Sequence, residues 1–419
     1  MNLDIFNEKA TKALLVSVNE DLSEQESEDS LDELEQLLNT AGAEAAARVT
    51  QNRKSPDPRT YIGTGKVKEL REFMSLHEDE IDLIVFDNEL SPSQIKNLEE
   101  ELDKRVIDRT MLILDIFALH ASTGEGKLQV EIACLRYTAP RLMGKGMQLS
   151  RLGGGIGTRG PGESKLESDR RHLNRRIKTL SRELHDLDRT REVKRAAREK
   201  SGIKTAAIIG YTNAGKSTLL NYLTDAGILA QDKLFATLDP TTRRLTLPSG
   251  NEILLTDTVG FIDRLPTHLI KAFKSTLDEL KYADIIINLT DASEPDNKRV
   301  KKQAVTESLV TELGADKKPA INVFNKIDRA VDEDYIPRNA ICVSALNGRG
   351  VDRLLDELDR ILSEEKKTLR LFFSHTQQEK VPEVFRFARV ISTEYTDEGT
   401  VITAECDARA SGMFAEYTT

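Results

Sequence analysis

The chain has 419 residues, enough for about two to four domains, with 31% charged residues and a mean hydropathy of −0.42. No apolar run approaches the ~20 residues needed to cross a bilayer, Met1 to Ala10 lacks a basic segment followed by an apolar core, and Cys134, Cys342 and Cys406 have neither disulfide-framework density nor metal-ligand spacing. The expectation is a cytoplasmic protein whose net charge of −10 conceals a local reversal: Arg141 to Lys200 carries 17 Lys and Arg against 8 Asp and Glu, one basic surface for a polyanion on an otherwise acidic chain.

From the N-terminus, residues 1–108 alternate strands and helices. Ala13 to Val18 is a strand, Leu31 to Leu38 a helix by its apolar spacing, and Ala45 to Val49 a weaker strand. A helix from Gly65 to Leu76 leads into Leu83 to Phe86, a continuous apolar run of the parallel-sheet type. Ser91-Pro92 caps a helix through Leu102, and Val106-Ile107 closes a small α/β domain. Its turn Tyr61-Ile-Gly63-Thr-Gly65-Lys66 is read first as a tight turn and second as an anion site at a helix start.

Residues 109–200 read as two long helices around a glycine-rich loop. Leu166, Leu173, Ile177, Leu180, Leu184 and Leu187 form a heptad seam. Leu112, Ile116 and Leu119, with Val130 and Ala133, give the first helix a matching face, so an antiparallel coiled-coil hairpin is expected. The loop from Arg151 to Gly162 carries no acid. Gly153, Gly154 and Gly155 can bring backbone N–H groups to phosphates, with Arg151 and Arg159 adding charge. No Phe, Tyr or Trp lies between Arg141 and Lys200, so an RNA partner would be read by backbone and shape rather than by stacking. A merely solvated charge run is the plain alternative.

Residues 201–364 alternate as a doubly wound sheet does, with strands at Thr205 to Ile209, Ile253 to Thr256, Asp284 to Leu289, Ala320 to Phe324 and Ala340 to Val343. Gly210, Tyr211, Thr212, Asn213, Ala214, Gly215, Lys216 and Ser217 fit the phosphate-binding loop between a strand and a helix that opens at Thr218. Its amides and helix dipole face phosphate. Lys216 would meet the β- and γ-phosphates, and Ser217 would ligate Mg²⁺. Asp257-Thr-Val-Gly260 follows the next strand, placing a carboxylate to hold the metal through water and an amide to sense the γ-phosphate. Between them Phe235-Ala-Thr237-Leu-Asp-Pro-Thr241-Thr242 is expected to be mobile, to place Phe235 at the nucleotide and to bring Thr237, or as second choice Thr241, to the metal. Asn325-Lys326-Ile-Asp328 places a carboxylate to pair with guanine donors, and Ser344-Ala345-Leu346 supplies an amide near the guanine oxygen. Lys216, Thr237 and Gly260 are the expected catalytic set. Phe261 stands where many GTPases carry a water-orienting glutamine, so unaided turnover should be slow. Asn213 is a candidate ligand for K⁺ beside the phosphates. Residues 365–419 read as a small α+β module: strand Leu369 to Phe373, helix Gln377 to Arg386, and strands Phe387 to Tyr395 and Thr400 to Ala404.

The run Gly153-Gly-Gly-Ile-Gly-Thr-Arg-Gly-Pro-Gly-Glu163 with Leu166-Glu167 resembles the signature of the HflX GTPases. Pro58 to Lys66, Glu89 to Gln94, Asp108-Arg-Thr110, Leu112 to Phe117 and Asp257 to Ile262 are similar to that family as well. Ser164-Lys165, where the family usually has Thr-Gln, and Leu346, where GTPases often have lysine, depart from it. The resemblance implies binding to the large ribosomal subunit and its rRNA, with the hairpin loop near the peptidyl-transferase region, splitting or rescue of stalled ribosomes under stress, and release on GTP hydrolysis to GDP. It also implies ATP binding in the N-terminal domain near Gly63 and Gly65. The expected fold is a P-loop G domain preceded by a small α/β domain and a helical hairpin and followed by a small α+β domain, acting as a monomer. The rival readings are a signalling switch with a protein partner, a ribosome-assembly GTPase, and an RNA-binding module whose nucleotide only tunes affinity.

Overall fold

The computed structural model describes residues 11–20, 23–77, 80–150, 161–224, 234–235, 238–266, 269, 274–329, 337, 340–364, 367–406 and 408–419. The N-terminal unit is a four-stranded parallel sheet of β1 (Thr11–Asn19), β2 (Ala43–Asn52), β3 (Leu83–Phe86) and β4 (Arg105–Asp108), in the order β2-β1-β3-β4. Helices α1 (Glu24–Thr40), α2 (Thr64–Leu76) and α3 (Pro92–Leu102) connect them. Capping boxes at Ser23/Glu26 and Ser91/Gln94 satisfy the first amides of α1 and α3, which fixes where each helix starts. Because parallel strands are covered on both faces, β3 is buried throughout.

The first hairpin helix is not continuous. It divides into α4 (Arg109–His120) and α5 (Gly124–Ser150). In α4 every residue from Arg109 to Phe117 is buried, and Leu112 and Ile116 pack with Leu15, Leu34 and Val85 in the N-terminal core. A helix apolar all round belongs inside a domain, so α4 completes the first unit. Leu119, assigned to the hairpin seam, is 62% exposed. The break occurs where Thr123 Oγ1 accepts from the Gly126 amide at 2.9 Å, a new helix start.

The hairpin itself is α5 against α6 (Pro161–Ser201). The pairs Arg176–Glu131 and Arg191–Glu125, at 2.8 and 2.9 Å, run in opposite chain directions, so the helices are antiparallel. Leu173, Ile177 and Leu184 are half-buried and Leu180 is 1% exposed, as the seam requires, whereas Leu187, also assigned to it, is 38% exposed. Pro161-Gly162, expected in the loop, begin α6, a position that suits proline. Arg151, Gly153, Gly154, Gly155 and Arg159 lie outside the described residues.

After Gly202, at φ +75°, the chain enters the second sheet, ordered β10-β9-β8-β5-β7-β6. Its strands are β5 (Lys204–Gly210), β6 (Thr241–Thr246), β7 (Glu252–Asp257), β8 (Ile285–Asp291), β9 (Ala320–Asn325) and β10 (Ile341–Cys342), joined by α7 (Lys216–Thr224), α8 (Lys274–Tyr282), α9 (Asp296–Glu312) and α10 (Val351–Glu364). All pairs are parallel except β6 with β7. Thr241 and Thr242, expected within a mobile segment, are therefore ladder residues of an edge strand whose polar sequence hid it.

The last unit has β11 (Lys367–Ser374), β12 (Arg389–Thr396) and β13 (Gly399–Cys406) in antiparallel order β11-β13-β12. The expected helix from Gln377 is a 3₁₀ stretch, His375–Lys380, followed by α11 (Val381–Phe387). Phe387 ends that helix rather than starting β12, and α12 (Ala408–Met413) was not foreseen.

Candidate functional site

The four strand-end motifs converge at one edge of the second sheet. Gly215, at φ +93°, could not be replaced: a Cβ there would stand 2.3 Å from Asn325 Nδ2. That closeness has a purpose. Asn325 Nδ2 donates to the Ala214 carbonyl at 2.8 Å, and its Oδ1 accepts from the Ala345 amide at 2.9 Å, so one side chain fastens the phosphate loop to both base-reading segments.

At the phosphate end Lys216 Nζ donates to the carbonyls of Gly210 and Tyr211 at 3.2 and 2.9 Å. Burial pushes its pKa down to about 8, with Asp257 acting in the opposite direction. Ser217 Oγ donates to Asp257 Oδ2 at 2.6 Å, and Asp257 is fully buried. A hydroxyl and a carboxylate at this separation form the hard oxygen set that suits Mg²⁺. Gly260 is pressed against the loop, where an added Cβ would fall 2.9 Å from Lys216 Nζ and 2.8 Å from Thr212 Cγ2. Phe261 stitches the two segments together: its amide donates to the Gly210 carbonyl at 3.1 Å, and its carbonyl accepts from Thr212 at 2.7 Å. The Phe261 ring is in the core with Ile209 and Leu277.

At the base end Asp328 Oδ1 accepts from Ser344 Oγ at 2.6 Å, and this bond holds its carboxyl below the usual range. Lys326 pairs with Asp291 at 2.7 Å. Leu346 is 70% exposed beside the buried Ser344 and Ala345. Thr218 is half-buried in the first turn of α7, and Asn213 holds a left-handed φ of +63°. Thus the expected residues from Gly210 to Thr218, with Asp257, Gly260, Asn325, Lys326, Asp328 and Ser344 to Leu346, lie along one edge.

One expected residue, Phe235, does not join them, and another cannot be placed. Thr237 lies outside the described residues. Phe235, expected at the nucleotide, is 2% exposed and packs edge-on against Phe117 of α4 at 4.7 Å between centroids; an aromatic ring gains more from that core than from a wet cleft. At the N-terminal turn the Gly63 amide already donates to Gln51 Oε1 at 2.9 Å, so that amide is engaged within the fold.

Sequence reasoning missed a buried polar cluster joining the site to the first domain. The Tyr211 hydroxyl bonds the Glu33 carboxylate and accepts from the Asp263 amide at 2.6 Å. Arg109 pairs with both Glu33 and Asp87, and Arg264 reaches Asp87 at 3.2 Å. Desolvation opposes the Arg109 charge, but the two carboxylates more than offset it. The partners are 22 to 178 positions apart, so no spacing could reveal them.

Three family profiles match the chain: "GTP-binding GTPase N-terminal" over residues 28–118, "GTP-binding GTPase Middle Region" over 120–198, and "50S ribosome-binding GTPase" over 205–326. A protein named GTPase HflX from Lacrimispora saccharolytica is 51% identical over 397 residues, covering 94% of this chain and 93% of that one. The GTPase HflX of Escherichia coli K12 is 42% identical over 380 residues, covering 88% and 87%. Among solved structures, a GTP-binding protein from Sulfolobus solfataricus in complex with GDP aligns with a TM-score of 0.45 at 25% identity, over 84% of this chain and 99% of that chain.

Proposed function

Because the chain belongs to the HflX GTPase family, we propose that it is a GTPase that binds the large ribosomal subunit, splits or rescues stalled ribosomes under stress, and leaves after hydrolysis to GDP. The observation that carries the guanine site is the pair of hydrogen bonds made by the Asn325 side chain, which holds the phosphate loop and the Ser344–Leu346 segment in one frame. Asp328 selects guanine through the donors of its Watson–Crick edge, Lys216 and the loop amides neutralise phosphate charge, and Gly260 senses the γ-phosphate. Ser217 and Asp257 would hold Mg²⁺, with Thr237 as the expected third member. When bound, that ion neutralises charge on the β- and γ-phosphates.

For the partner, Arg171, Arg175, Arg176, Lys178 and Arg182 are exposed along α6, which supports docking on rRNA phosphates, with Arg151, Gly153, Gly154, Gly155 and Arg159 leading. Phe261 cannot orient water from inside the core, so the free protein turns over slowly and the ribosome completes the site. Asn213 would hold K⁺ in the same catalytic role. An ATP site at the N-terminal turn is a secondary reading: it would require Gln51 to leave the Gly63 amide and Arg53, which lies against Gly63, to meet phosphate.

One experiment tests the reading: GTP turnover with and without purified large subunits, in potassium and in sodium buffers, across a salt series. Subunits should accelerate turnover, and the effect should fall steeply with salt as counterions are released. Turnover indifferent to subunits overturns the ribosomal role, and equal rates in the two buffers remove K⁺.

A further inference from the structure

The chain preceding β6 is tied to the N-terminal unit at Leu234 and Phe235 and to the junction between α4 and α5 at Asp239. Upstream, the Leu234 amide donates to Thr40 Oγ1 at 3.2 Å, and Phe235 lies on Phe117. Downstream, the Asp239 carboxylate receives four hydrogen bonds from the root of the arm. The amides of Ser122 and Thr123 and the Ser122 hydroxyl donate to Oδ2 at 2.8 Å each, and the Thr123 hydroxyl donates to Oδ1. Burial works against this carboxylate, but the bonds from Thr123 and Ser122 outweigh it and hold its pKa low. The anion also faces the N-terminus of a 27-residue helix, where the dipole favours it. Gly126 makes the room: a Cβ there would come within 2.3 Å of Asp239 Oδ1.

The other end of this linkage is the nucleotide site. Two residues after Asp239 the chain enters β6, whose first residue, Thr241, pairs with Asp257 in the ladder. Asp257 in turn bonds Ser217 of the phosphate loop. A continuous path of short contacts therefore runs from the phosphate loop through Asp257, Thr241 and Asp239 to Ser122, Thr123 and α5. The second arm helix has its own hold on the segment after Gly260: Arg195 of α6 pairs with Glu279 of α8 at 2.9 Å and lies over the Tyr282 ring at 4.1 Å.

We propose that the clasp between Asp239 and the Ser122–Thr123 root of α5 is the joint through which the bound guanine nucleotide sets the angle of the helical arm. The inference rests on the guanine-nucleotide reading of the site. Movement of Asp239 and the start of β6 toward or away from the phosphates either carries the root of α5 with it or opens the clasp. By thermodynamic reciprocity, an arm held on its target acts back on the nucleotide by the same coupling. Asp239 is a positioning residue, since it touches the arm and not the nucleotide. An α5 of 27 residues is about 40 Å long, so a few degrees at the root displace the tip by several ångströms.

The test uses the full chain and no ribosome, so it stands or falls separately from the ribosomal role. Spin labels are placed by Lys178→Cys in α6 and Asp356→Cys in α10, both exposed, with Cys342→Ser removing the partly exposed native thiol. The distance between them is read with GDP and with a non-hydrolysable GTP analogue. It should differ between the two nucleotides in the parent chain and lose that difference in Asp239→Asn, where an amide would face four donors. Gly126→Ala supplies the second variant. Alanine strengthens a helix relative to glycine, so it should evict the carboxylate without unfolding the arm and abolish the difference in the same way. A nucleotide-dependent distance that survives undiminished in both variants, or an identical distance with both nucleotides in the parent, overturns the proposal.

Discussion

In the proposed guanine site a single carboxylate, Asp328, would carry the choice of base, and its bond from Ser344 both orients it and keeps it ionised. Exchanging it for an amide replaces an acceptor by a donor at the edge of the purine. Asp328→Asn should therefore lose GTP and gain xanthosine triphosphate, with discrimination changing by several orders of magnitude, as expected when a hydrogen-bond match between site and base is reversed. Unchanged GTP affinity, measured by fluorescent-nucleotide displacement, would sink the assignment. The placement of such residues at one edge of the sheet was legible in advance because each follows a strand. Phe235 was not legible, since whether a ring beside a cleft faces ligand or core depends on a neighbour, Phe117, far away in the chain. Tyr211 shows the same limit: its place in the phosphate loop was plain, while its bonds to Glu33 and Asp263 belong to the assembled fold.

The helix α4 is the element whose environment departs most from its reading. It carries Asp115 into the apolar core, where neither carboxyl oxygen has a hydrogen-bond partner among the described residues, and burial pushes the pKa up to about 7 against a weaker opposing pull from Arg105. The folded protein holds this acid neutral, while the unfolded chain releases its proton near the ordinary value of 3.8. Stability is therefore lost as pH rises from about 4 to about 7 and is level above that window. Asp115→Asn removes this dependence. Its melting temperature should gain on the parent by several degrees between those limits, reflecting a linkage on the order of 2–4 kcal/mol, and parallel melting curves across the range would refute it. Most strands and helices of the first two sheets were visible as apolar runs between capping or turn residues. The exceptions have physical causes. The polar, threonine-rich β6 is an edge strand, and the α4–α5 break is set by a short Ser-Thr cap within an otherwise helical stretch.

Across the whole molecule, the order of units along the chain was legible from composition and charge, whereas the way they grip one another was not. Arg109, Asp87, Glu33, Tyr211 and Arg264 come from both the first domain and the nucleotide-binding sheet, and sequence separation conceals such a cluster however strong it is. Among the described residues no helix is long and apolar enough to cross a membrane, and the basic α6 is better suited to a polyanion than to lipid. The seam of α6 adds a constraint of its own. Leu173, Ile177, Leu180 and Leu184 must point at α5 while Arg195, further along the same rod, must point at Glu279, so the helix is fixed in rotational phase at two stations. One residue inserted between Leu187 and Arg195 turns one station by about 100° relative to the other, and the chain can keep only one of them. The apolar seam, with more contacts to lose, should prevail. In the inserted chain Arg195→Ala should then cost no further stability, whereas in the parent it does, a difference readable by a double-mutant cycle in thermal melts. The arm is thus keyed like a shaft in a slot, and what it presents to its target is a chosen face as well as a chosen direction.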